Sequence, residues 1–198
     1  MSVTQYTLAE YLAREETAVY KSEFYRGQIF AMSGGTPEHN TVGGNVFTAL
    51  RIRLRGSPCL PFNSDQRIRI PGNGLVTYLD VSIVCGGPQR DPQSPTAVNN
   101  PSVIFEVLSD STESYDRGKK FDLYRQLESL REYLLVAQDE AHVERYVRQA
   151  DDSWLLTVFK GLDAVLELTT LGCSLPLAEV YEDVMFPPPK PLPELAVS

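Results

Sequence analysis

Long apolar stretches are missing from this chain of 198 residues, and none of its hydrophobic runs approaches the length needed to cross a bilayer. The opening MSVTQYTLAEYLAREE mixes acids, an arginine and polar side chains. It therefore lacks the apolar core of a secretory signal and the basic character of a transit segment, and a cytoplasmic protein is expected. Cysteine is scarce. Cys59, Cys85 and Cys173 are odd in number and far apart, which argues against a disulfide framework or a zinc site and predicts reduced, buried thiols. Positive charge is also short, with 18 Lys and Arg against 26 Asp and Glu and a net charge of −8. That balance counts against nucleic-acid binding, which ordinarily gains affinity by replacing counterions with basic side chains. The distribution is uneven, however. Arg51, Arg53, Arg55, Arg67 and Arg69 share a stretch whose only acid is Asp65, so a locally basic face and a merely solvated helix end and strand are both open.

What is present suffices for one core. The length and a hydrophobic share of 42% predict a single domain over residues 1–185, followed by a proline-rich extended tail over 186–198. Leu8, Tyr11, Leu12, Ala18 and Val19 predict an amphipathic helix from Leu8 to Tyr20, capped by Thr7. Phe24 to Met32 predicts two short strands turning at Arg26-Gly27. Thr36-Pro37-Glu38 carries helix-start signals in order, and the helix should run to about Arg55 with Val42, Val46, Ala49, Leu50 and Leu54 buried. Alternation predicts one strand over 60–70, a turn at Pro71-Gly72-Asn73-Gly74 and a second strand from Val76 to Val84. Gly86 to Asn100 is expected to be a surface loop. Val103 to Leu108 is apolar on both faces and predicts a central strand. A helix over 116–128 should follow, then strands near Tyr133–Ala137, Val143–Val147 and Trp154–Phe159.

Glu106 is the anomaly in this pattern, a carboxylate flanked by Ile104, Phe105, Val107 and Leu108. Burying a lone carboxylate costs several kcal/mol, so its surroundings must supply a cation, a proton or strong hydrogen bonds. Asp80 opens a similar strand. Two carboxylates from neighbouring strands can meet at one point, where a divalent cation would relieve their repulsion, and hard oxygen donors suit Mg²⁺ or Mn²⁺. Lys120, Leu123, Tyr124 and Leu127 follow helical spacing, which turns the ammonium towards the sheet, while Lys119 turns towards Asp122 and solvent.

Together these segments resemble a known family. Asp80-Val81-Ser82-Ile83-Val84, Phe105-Glu106-Val107-Leu108-Ser109, Tyr115-Asp116-Arg117-Gly118-Lys119-Lys120-Phe121 and Glu132-Tyr133-Leu134-Leu135-Val136 are similar to the Uma-type restriction endonucleases of the PD-(D/E)XK nuclease superfamily. Glu23-Phe24-Tyr25-Arg26-Gly27 and His39 extend the likeness upstream. The resemblance implies a restriction-endonuclease-like α/β fold, a central mixed sheet flanked by helices. It implies a metal-dependent endonuclease acting on DNA, with Mg²⁺ as cofactor and Mn²⁺ as substitute, working as a homodimer. It makes Asp80 and Glu106 the metal-binding acids, adds the Val107 carbonyl as a ligand, and assigns to Lys120 the role of the lysine usually found where Leu108 stands. It brings Glu23 close to the metal acids. Leu79 departs from the pattern, where the superfamily has a proline.

Each residue also has a plainer reading. Asp80 could cap a turn, Glu106 could pair with Lys120 alone, and Lys120 could pair with Asp116 at the surface. His39, on the first turn of its helix, is open to contact with substrate or attacking water and to a satisfied core position. Glu23 could be a surface glutamate, and Tyr124 either packs or supports the site by a hydrogen bond. Leu130, Tyr133 and Trp154 are the apolar residues expected to be exposed for dimer formation. The rival functions are a catalytically inactive nuclease-fold protein that binds nucleic acid or acts as an assembly module, and a hydrolase of another phosphate ester.

Overall fold

A computed structural model of the chain describes residues 4–109 and 116–188. Thr7 caps α1 (Leu8–Glu15), and its side chain and that of Glu10 satisfy each other's backbone N–H groups. The helix ends five residues before the expected Tyr20, leaving Val19 and Tyr20 exposed. Strands β1 (Ser22–Tyr25) and β2 (Gln28–Ala31) turn at Arg26-Gly27, both at positive φ. Thr36 then caps α2 (Pro37–Arg53), whose Val42, Val46, Ala49 and Leu50 are buried as the spacing predicts.

Two predicted strands turn out to be four. Residues 60–70 divide into β3 (Cys59–Asn63) and β4 (Arg67–Arg69), and Val76 to Val84 into β5 (Val76–Tyr78) and β6 (Val81–Cys85). The cause is topological, because in each case the chain crosses between sheets. The expected loop 86–100 instead contains β7 (Arg90–Asp91) and β8 (Ser94–Val98), with Asp91, Ser94, Ala97 and Val98 buried. β9 (Val103–Leu108) is buried throughout. In place of a helix over 116–128 stands a π-helical turn (Asp116–Lys120) that runs into one α-turn, α3 (Phe121–Tyr124). β10 (Glu132–Ala137), β11 (His142–Arg148) and β12 (Trp154–Lys160) match their predicted strands. A hairpin of β13 (Val165–Leu168) and β14 (Cys173–Pro176) and the short α4 (Leu177–Val180) follow, in a segment without a sequence assignment. Beyond residue 188, the predicted tail lies outside the described residues.

The first sheet has the order β2-β1-β5-β4-β8-β7, the second β12-β11-β10-β9-β6-β3. β9 and β10 are parallel, and β6 is antiparallel to β9. Alternation along β9 divides the core. Phe105 and Val107 pack against α2, the β13–β14 hairpin and α4, whereas Ile104 and Leu108 face α3 and the first sheet. Glu106 shares the second face by parity. Leu130 and Tyr133 are fully buried and Trp154 packs edge-on against Phe121, so these are not exposed residues. Cys59 and Cys85 stand opposite each other across β3 and β6 and are joined by a disulfide, which corrects the expectation of reduced thiols; Cys173 is free. Among the described residues, no helix is long and apolar enough to cross a membrane.

Candidate active site

Asp80 sits where the chain leaves β5 in the first sheet and enters β6 in the second. Its Oδ2 accepts the Val107 backbone N–H of β9 at 2.7 Å, and its Oδ1 lies 3.1 Å from His39 Nε2. Glu106 is only 3% exposed. The Tyr124 hydroxyl donates to its Oε1 at 2.8 Å and the Lys120 ammonium does so at 3.3 Å, while the Asp80 backbone N–H approaches its Oε2 at 3.4 Å. The two acids therefore share one side of the sheet and one point in space.

Lys120 closes the π-helical turn, whose geometry also brings Asp116 Oδ1 within 2.8 Å of its ammonium. Asp116 is 2% exposed, so this pair is not the surface contact that its spacing suggests. Glu23 reaches in from β1 and accepts the Thr77 hydroxyl at 2.6 Å. Asp80, His39, Glu106, Lys120, Asp116 and Glu23 line one cavity of about 390 Å³, together with Val107. Phe30 to Thr36, Tyr78, Ser109 and Lys119 also contribute to its lining. Lys119 is exposed over the Tyr25 ring, and Asp122 pairs with Arg125.

Four carboxylates and one buried ammonium thus line the cavity. Burial pushes the Glu106 carboxyl up to about 8; Lys120 opposes the shift, and Asp80 and Asp116 add to it. Burial alone would favour the neutral amine of Lys120, but Glu106, Asp116 and Glu23 hold its pKa well above the ordinary lysine value. For His39 burial acts downward, yet the hydrogen bond and charge of Asp80 outweigh it and the imidazole is raised. Burial and then the Glu106 charge push the Tyr124 hydroxyl far up, so it remains a donor.

Residues 8–178 match Uma2, described as "Putative restriction endonuclease". The chain belongs to the Uma2 family. Two relatives come from Synechocystis sp. Uncharacterized protein slr1290 is 37% identical over 177 residues, covering 89% of this chain and 92% of that protein, and uncharacterized protein sll1609 is 39% identical over 163 residues, covering 82% and 92%. The crystal structure of "a putative nuclease belonging to DUF820" from Anabaena variabilis superposes with a TM-score of 0.70 at 16% identity, covering 90% of this chain and 99% of that one. The fold is the restriction-endonuclease-like α/β fold.

Among the described residues of this Uma2 chain, no three His, Cys, Asp or Glu side chains form a ready-made metal cluster. The donor chemistry nevertheless suits a hard divalent cation. Carboxylate oxygens outnumber the buried positive charges, and the raised Glu106 is a carboxyl whose ionisation a cation would favour. His39 Nδ1 is in addition buried with no hydrogen-bond partner among the described residues. Of the residues singled out in the sequence, Asp80, Glu106, Lys120, His39, Glu23, Val107 and Tyr124 all meet around this Uma2 site. Asp116 was missed as a member of the cluster; its signal was its position one helical turn before Lys120. Of the five arginines that left a basic face open, Arg51 and Arg55 are exposed, while Arg53 binds Glu179, Arg67 binds Tyr78 and Thr96, and Arg69 binds Asp91.

Proposed function

We propose that the chain is a metal-dependent endonuclease that hydrolyses phosphodiester bonds of DNA. The observation that carries this reading is the convergence of Asp80 and Glu106 from adjoining strands beside the Lys120 ammonium. Asp80, Glu106 and the Val107 carbonyl would hold Mg²⁺, or Mn²⁺ in its place, with Glu23 at the edge of the site. When bound, the ion supplies Lewis-acid polarisation of the phosphate and a lowered pKa for a coordinated water.

The chain's own groups do the rest. Lys120, kept charged by its acids, neutralises charge developing on the phosphate or orients the attacking water. Tyr124 donates to Glu106 Oε1 and fixes that carboxylate's rotamer, while the Val107 N–H fixes Asp80. His39 stands at the N-terminus of α2, where backbone N–H groups favour a phosphate, and its contact with Asp80 directs the imidazole towards the reacting atoms. In-line attack by water needs no covalent enzyme intermediate, and cleavage leaving a 5′-phosphate belongs to this reading.

Incubation of plasmid DNA with Mg²⁺ or Mn²⁺ tests the proposal: the native protein nicks or linearises it, and Glu106→Ala does not. Equal cutting by both would assign the activity to a contaminant. One observation favours the inactive binding module as a second reading. Asp80 and Glu106 already have protein hydrogen-bond donors, so the site is close to self-satisfied without a cation. A salt-dependent duplex affinity with no cleavage at any metal concentration would decide for it. A cytoplasmic setting and a homodimer belong to the same proposal. The apolar residues available for the dimer are Leu155, Leu156 and Val158 of edge strand β12, and sedimentation velocity reports the stoichiometry.

A further inference from the structure

We propose that this site takes a nucleotide splayed out of a single strand, with its base stacked on Phe30, in preference to an intact duplex. The inference rests on the nuclease reading for its chemistry and adds the substrate class.

The register of the β1–β2 hairpin places Phe30 directly opposite Glu23, so both side chains project from one face. Glu23 reaches inward to the acids, and Phe30 forms the outer lip of the same cavity at 44% exposure. β2 is an edge strand, so no further strand among the described residues covers that lip. The hairpin thus holds an exposed aromatic ring at the mouth of the cavity, where burial would otherwise be favoured.

Charge points the same way. A duplex is gripped chiefly through its phosphates, yet the chain carries −8 and Arg53, Arg67 and Arg69 are engaged by its own side chains. Stacking on an aromatic face tolerates any base, and it needs a base freed from its duplex neighbours, which a single strand supplies without the cost of unpairing. The cavity, about 390 Å³, falls within the size range of pockets that enclose one small ligand.

Fluorescence anisotropy on the full chain in EDTA, at physiological ionic strength, tests this. The probes are a labelled single strand of mixed sequence, as DNA and as RNA, and the blunt duplex of the same sequence. The single strand of at least one of the two is expected to bind about tenfold or more tighter than the duplex, with Phe30→Ala weakening it by a similar factor and Phe30→Trp retaining it. Equal or tighter duplex binding, an unaffected Phe30→Ala variant or no binding overturns the inference. So does a Phe30→Ala variant that changes only the oligomeric state, which would assign the lip to a second copy of the chain. Metal-dependent duplex cleavage that Phe30→Ala leaves unimpaired overturns this inference alone. Stacking-dependent binding of a single strand with no cleavage overturns the nuclease reading alone.

Discussion

The ionisation of a carboxyl that is 3% exposed, with an ammonium at 3.3 Å and two more acids close by, is set by the protein rather than by solvent. Because Glu106 is raised from 4.5 to about 8, the folded protein retains a proton across that window that the unfolded chain has released. Stability therefore falls as pH climbs through the window and levels off above it. His39 acts with the same sign: its raised imidazole contributes stability that is complete below the ordinary histidine value and is lost as pH rises through the raised one. Thermal midpoints in EDTA should fall between about pH 5 and about pH 9, and Glu106→Gln should flatten much of that slope. A flat native profile contradicts this account. Lys120→Ala should cost about 3–5 kcal/mol in urea unfolding by stranding Glu106 and Asp116, and should lower kcat by about a hundredfold or more; an active, equally stable variant contradicts it. Asp80, Glu106 and Lys120 were legible because a carboxylate in an apolar strand and an ammonium on an apolar helical stripe are local anomalies. Asp116 was not, since only the π-helical turn converts its spacing from Lys120 into burial. Phe30 was not legible either, because its exposure depends on which strand becomes an edge.

Elements whose partners lie nearby in sequence were readable. Thr7 and Thr36 cap their helices, the Arg26-Gly27 turn supplies the two positive φ angles, and β9 is buried on both faces as its composition requires. Where a distant contact decides, reading failed. The 86–100 segment has three prolines and the composition of a loop. It is ordered by Asp91, which accepts the Gln93 and Ser94 N–H groups at 2.9 and 3.1 Å and pairs with Arg69 at 2.7 Å, a residue 22 positions earlier. Asp91→Ala would leave two backbone donors and a largely buried guanidinium unpaired. Denaturant unfolding should then show a loss of about 3 kcal/mol or more, whereas a loss below about 1 kcal/mol would fit a surface loop. The breaks at 64–66 and 79–80 have the same origin. Alternation reports which face is buried, and it does not report that the chain changes sheets between one strand and the next.

At the scale of the whole molecule, the two sheets meet along the crossover that carries Asp80, so the architecture that buries the core also assembles the acids. The Cys59–Cys85 disulfide joins β3 to β6 across a sequence separation of 26, a pairing that three widely spaced cysteines could not announce. Reduction should lower stability by about 3 kcal/mol through the entropy returned to the unfolded chain, read as a shifted denaturant midpoint with and without reductant; superimposable curves contradict the bond. The central claim is that Asp80 and Glu106 share one divalent ion, and anomalous diffraction from a crystal soaked in Mn²⁺ tests it most directly. The account predicts a peak between the two carboxylates, within reach of the Val107 carbonyl and lost in Glu106→Ala. An empty map at that point, with the crystal otherwise intact and manganese in excess, would contradict it.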